Sequence, residues 1–164
     1  MAYDIITITP TLETDAYAAQ DTLFTSTAVK LPHRSCKILS ITAVFQTATS
    51  TGDEITLLFF KENTTDIGPI NEDLNITGAQ IKANVFLGPT RLVHYGESDF
   101  ETPSLFASQH HNDEDGTSTN SQEIVLVEGS TKNTCYVQGY ISQDADGITS
   151  PATDSFRITL HVEY

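Results

Sequence analysis

The last nine residues, FRITLHVEY, alternate without a break. Phe156, Ile158, Leu160, Val162 and Tyr164 fall on one side, and Arg157, Thr159, His161 and Glu163 on the other. Only a β-strand, with its two-residue period, gathers such a run into one apolar and one polar face. The same period runs through ILSITAVFQT, which sets Leu39, Ile41, Ala43 and Phe45 on one side. EITLLFFK is different: Leu58 and Phe60 share one face while Ile55, Leu57 and Phe59 share the other. A strand apolar on both faces belongs in the middle of a sheet, covered from two sides. The short ATSTGD link between these last two strands reads as the turn of a hairpin.

Further strands are expected at 4–9, 23–30, 90–95, 123–128 and 134–142. One stretch departs from the pattern. In NITGAQIKANVFLGP the apolar residues Ile76, Ile81, Val85 and Leu87 are near helical spacing, Thr77 can cap, and Gly88-Pro89 can stop the helix. A short helix is predicted over 77–87, and a further helical turn near 15–20. Helices do not alternate with strands, so a parallel α/β fold is excluded. The expectation is all-β: a jelly-roll-like antiparallel β-sandwich with one short helix, forming a single domain over 1–164.

Composition agrees. The chain has 164 residues, enough for one sizeable core. Threonine is abundant, and it is more comfortable on a pleated sheet than in a helix. The formal net charge of −14 repels phosphate backbones, so no nucleic-acid partner is expected. Between Arg91 and Lys132 there is no Lys or Arg, while acids are frequent there. No run approaches the roughly 18 apolar residues of a membrane span, so no membrane partner is expected. MAYDIITITP lacks an apolar signal region, so synthesis in a reducing cytoplasm is expected, with Cys36 and Cys135 as free thiols.

The densest group of reactive side chains is QHHNDEDG, residues 109–116. His111-Asn112-Asp113 has the His-x-Asp form that, joined by a later His such as His161, builds the metal site of cupin-like enzymes. Two physical facts oppose that reading. His161 alternates with Leu160 and Val162, so it lies off the apolar face. The flanks of 109–116 also hold no apolar residue to fix ligands or exclude water. Asp113 and Asp115, and separately Asp144 and Asp146, are hard oxygen donors for calcium, yet neither pair fits an EF-hand loop. A solvated loop is the plainer reading. Nothing assembles a nucleophile with its base, so neither an enzyme nor a cofactor is expected. Sugar binding would usually employ Trp, which is absent; Tyr95, Tyr136 and Tyr140 could serve instead, the last two on one strand face.

The stretches TLETDAYAAQDTLF, KILSITAVFQTATSTGDEITLLFFKEN, NITGAQIKANVFLG and YVQGYIS, with the closing FRITLHVEY, resemble small structural proteins of tailed bacteriophages, notably those of marine and cyanobacterial hosts. The resemblance implies a virion structural protein, most readily a capsid decoration (cement) protein. Such a protein sits as a homotrimer on the capsid exterior, with the major capsid protein as its partner. A receptor- or glycan-binding module of a tail or fibre is the alternative it leaves open. In the trimer, Phe59, Phe60, Tyr136 and Tyr140 are the interface candidates, because EITLLFFK carries more apolar surface than one sheet face can bury. The acidic 92–131 segment is expected to point outward.

Overall fold

The computed structural model describes residues 2–46, 54–94, 104–108, 124–143, 148 and 152–164. Nine strands and one helix follow in chain order: β1 (Tyr3–Ile8), β2 (Thr22–Lys30), β3 (Ser35–Phe45), β4 (Glu54–Phe60), α1 (Gly78–Asn84), β5 (Phe86–His94), β6 (Ser104–Ser108), β7 (Val125–Val127), β8 (Thr134–Gln143) and β9 (Phe156–Glu163). All pairings are antiparallel and form one sheet in the order β1-β9-β3-β6-β5-β4-β8-β2. β7 pairs with β3 beyond β6. The sheet curls until its two ends meet across the core. Phe24 of β2 lies 6.1 Å from Phe156 of β9, which in turn lies 5.2 Å from Phe45 of β3. The fold is therefore all-β and sandwich-like, as the alternation requires. Among the described residues no helix is long and apolar enough to cross a membrane.

The concave face is the core. Ile158, Leu160 and Val162 of β9, Ile41, Ala43 and Phe45 of β3, Ile55, Leu57 and Phe59 of β4, and Val137 and Ile141 of β8 all point into it and are buried. Packing is tight enough to dictate glycine at one position. A Cβ on Gly139 would stand 2.3 Å from the Phe24 ring, so the ring lies directly on the β8 backbone.

Several expectations need correction. β3 and β4 are not a hairpin, because β6 and β5 lie between them. Residues 46–53 are long enough to cross two intervening strands, and a central β4 with two apolar faces pairs best with β5 and β8 on either side. Leu39 does not join the core face. A register shift between Ile38 and Ser40 turns it outward. The segment at 15–20 forms no helix; Tyr17 instead bridges to Ile148. The strand β6, short and without clear alternation, went unread.

The helix is shorter than its pattern suggests. Thr77 caps it in a full capping box: its hydroxyl accepts from Gln80 N, and Gln80 Oε1 accepts from Thr77 N at 2.8 Å. It stops at Val85, which takes a left-handed φ of 55°. Gly88 and Pro89 are not its stop; they lie within β5. Among the described residues β6 pairs no further than Leu92, so none of them asks Pro89 for an N–H on that side.

Candidate functional site

The convex face of the sheet divides into two halves. Over β4, β8 and β2 it is covered by a strap, residues 61–77, which leads into α1. Leu58, Phe60 and Ile67 are buried beneath or within the strap, with Leu74, Ile76, Tyr136 and Tyr140 packed around them. Asn84 is the clamp. It is fully buried, and its Oδ1 accepts from Thr64 N at 2.8 Å and Thr65 N at 3.1 Å while Nδ2 donates to Thr65 O at 2.9 Å. This arrangement corrects the expected interface. Phe59 points into the core and Phe60 under the strap, both wholly buried, and half-buried Tyr136 and Tyr140 pack against the strap cluster. The apolar surplus of EITLLFFK is covered within the chain.

Over β1, β9 and β3 the convex face has no such cover among the described residues. Pairing lays its side chains out in rows. Tyr3, Glu163, Lys37 and Val125 stand side by side across four strands. The next row holds Ile5, His161 and Ser40, with Leu39 at the register shift. Thr7, Thr159, Thr42 and Ala107 form the third. Tyr3 is 66% exposed, Ile5 59% and Val125 47%, the largest exposures among the big apolar side chains described.

Of the histidine and acid candidates, only His161 falls in the described residues. It sits half-exposed on this convex face, off the core, as its alternation requires. His111, Asp113, Asp115, Asp144 and Asp146 lie outside the described residues. The acidic insertion is nonetheless located by its ends: Ser108 Oγ accepts from Ile41 N and Ile124 O accepts from Ile38 N, so it leaves and rejoins the sheet beside one short stretch of β3. Among the described residues no three His, Cys, Asp or Glu gather as a metal site.

Charge is divided along the strand axis. The connections 9–21, 46–53, 95–103 and 144–155 all join strand ends at one pole. In sequence they contain Glu13, Asp15, Asp21, Asp53, Glu97, Asp99, Glu101, Asp144, Asp146 and Asp154, and no Lys or Arg. The connections 31–34, 61–85 and 128–133 join strand ends at the opposite pole and hold Arg34, Lys61, Lys82 and Lys132 with Glu62, Asp66 and Glu128. Glu72 and Asp73 of the same strap reach back to the first pole, where Thr22 N donates to Glu72 O at 2.9 Å and Asp73 bridges Asp21. In sequence the separate 109–123 connection adds Asp113, Glu114, Asp115 and Glu123 without a base. The opposite pole is also the one tied together by ionised groups. Glu128 accepts from Arg34 Nε at 2.8 Å and from Asn133 N at 2.7 Å, and the Arg34 guanidinium, followed by the Asn133 N–H, holds its carboxyl below the usual range. Glu62 accepts from Ser130 N and Ser130 Oγ, which lower its pKa in that order. A Cβ on Gly129 would meet Lys61 O at 2.2 Å, so the two connections touch through backbone. These carboxylates are held charged as acceptors for loop groups, a structural use rather than proton transfer. The thiols are equally unsuited to nucleophilic work at neutral pH: burial pushes Cys36 up to about 11 and Cys135 up to about 12. Sequence reading located neither the open face nor this charge division, because both depend on which strands are neighbours.

No protein-family model matches the chain, and no curated protein does. Among solved structures, a chain of Desmodium yellow mottle tymovirus is similar over 98% of this chain and 79% of its own, at 14% identity and a TM-score of 0.32. Likeness at that level identifies neither a common fold nor a common function.

Proposed function

We propose that this chain is a non-catalytic structural protein of a virion, a capsid decoration protein that seats on the exterior of the major capsid protein lattice. The observation that carries the reading is the polarity of the molecule along its strands. One pole joins its strands through connections that carry Arg34, Lys61, Lys82 and Lys132, and it is braced by Glu62, Glu128, Arg34 and Asn84. The other joins its strands through connections that are acidic without exception. A part that must sit on a protein lattice benefits from a rigid base with cations among its acids, since a surface of one sign would demand a matching partner. The acidic pole then faces water, where its repulsion keeps neighbouring particles apart. The phage resemblance of the sequence points the same way. Tyr136 and Tyr140, the tyrosines that would serve glycan binding, pack against the strap.

Quantitative mass spectrometry of purified virions tests the reading. It expects copy numbers comparable to the major capsid protein. A few copies per particle would move the protein to the tail, and absence from the particle would end the proposal.

A further inference from the structure

We infer that the open convex face over β1, β9 and β3 is a contact between two copies of this chain, related by a two-fold axis that runs parallel to the strands between β9 and β3. The surface is complementary to itself. A two-fold contact places the same surface against itself with the order of its strands reversed. The first row reads Tyr3, Glu163, Lys37, Val125, that is apolar, acid, base, apolar. Reversed upon itself, it sets Tyr3 against Val125 of the second copy and Glu163 against Lys37, twice over. The third row behaves alike: Thr159 meets Thr42, and Thr7 meets Ala107. The contact does not require Lys37 to be unengaged in its own chain, because an ammonium has three protons to donate.

The face is also suited by what it lacks. Its rows hold Glu163 as their acid, against Lys37 and, further along β9, Arg157, in a chain with 22 acids and 8 bases. Across these described rows two molecules of charge −14 can approach without acid meeting acid. Depletion of charge around exposed Tyr, Ile, Leu and Val is the composition of an interface core. Because the axis runs along the strands, both copies keep their braced poles on the same side. A pair can therefore seat on one surface, although the inference stands whether or not that surface is a capsid. Four strands about 4.8 Å apart give a face smaller than the roughly 800 Å² per partner of a standard interface, so the pairing is expected at micromolar concentrations and above.

Sedimentation equilibrium of the full chain tests this. The native protein should pass from its 17.9 kDa monomer to twice that mass as concentration rises through the micromolar range. K37E alone should set carboxylate against carboxylate at both pairs, and E163K should set ammonium against ammonium. Each is expected to weaken pairing at least roughly tenfold, the scale of two lost charge pairs. The decisive arm mixes the two variants in equal amounts. Each then supplies what the other lacks, both cross-copy pairs are restored, and a mixed dimer should form near native strength. An effect within one chain cannot produce that recovery, because each variant keeps its like-charged neighbours in its own sheet. Thermal unfolding of each variant confirms that it is folded, and I5D provides a second break that involves no charge pair. A native chain that stays monomeric, a trimer, single variants that pair like the native chain, or a mixture without recovery would each overturn the inference.

Discussion

The two halves of the convex face are made from the same sheet and have opposite fates. Over β4 and β8 the outward positions are Leu58, Phe60, Tyr136, Gln138 and Tyr140, and a strap held by Asn84 covers them. Over β9 the outward positions are Arg157, Thr159, His161 and Glu163, which need no cover from within the chain. The difference was written into the strands. A face that brings two large apolar side chains on one strand must be covered by something, and here the cover lies in the next segment of sequence. A face that mixes Thr, His and paired charge with a few apolar side chains is stable in water and can still receive a partner.

Substitutions on the two halves should differ accordingly. The largest loss is expected for Phe60→Ala, which empties a wholly buried ring site under the strap and should cost about 3–5 kcal/mol in urea unfolding. Asn84→Ala should follow at about 2–3 kcal/mol, because the Thr64 and Thr65 N–H groups lose their acceptor together. It should also open the strap to trypsin at Lys61 and Lys82 before the sheet unfolds, which Phe60→Ala need not do. Thr77→Ala removes the helix cap and should cost about 1 kcal/mol. On the open half, Ile5→Ala should lie within about 0.5 kcal/mol of the native chain, measured at concentrations where the protein is monomeric. If Ile5→Ala matched Asn84→Ala in cost, the supposed open half would be a covered one.

How much of this was legible in the sequence follows from the range of each signal. β9 and β4 could be read directly, since alternation is local and burial simply obeys it. The cap at Thr77 was equally local. The partner of each strand was not legible. β3 and β4 are adjacent in sequence yet separated by two strands, and no residue in 46–53 announces that. The outward turn of Leu39 was hidden for a related reason: one extra residue at a register shift reverses the face of everything before it. Val85 ended the helix three residues before Gly88 because pairing with the end of β4 begins there, Lys61 N donating to Val85 O at 2.9 Å. A β-branched residue with positive φ is a poor sequence signal, and tertiary pairing overrides it. The burial of Phe59 and Phe60 was illegible on the same ground. Counting apolar residues in EITLLFFK was sound, but the count could not say whether a second chain or a strap would cover them.

One half of the convex face is covered within the chain, and the other is inferred to be left for a second copy. Covalent footprinting of tyrosines tests both parts together, at low micromolar and at several hundred micromolar protein. Tyr136 and Tyr140 should be protected at both concentrations. Tyr3 should react readily in the dilute sample and become protected in the concentrated one. Tyr136 and Tyr140 reacting as fast as Tyr3, or a Tyr3 whose reactivity is the same at both concentrations, would contradict this division.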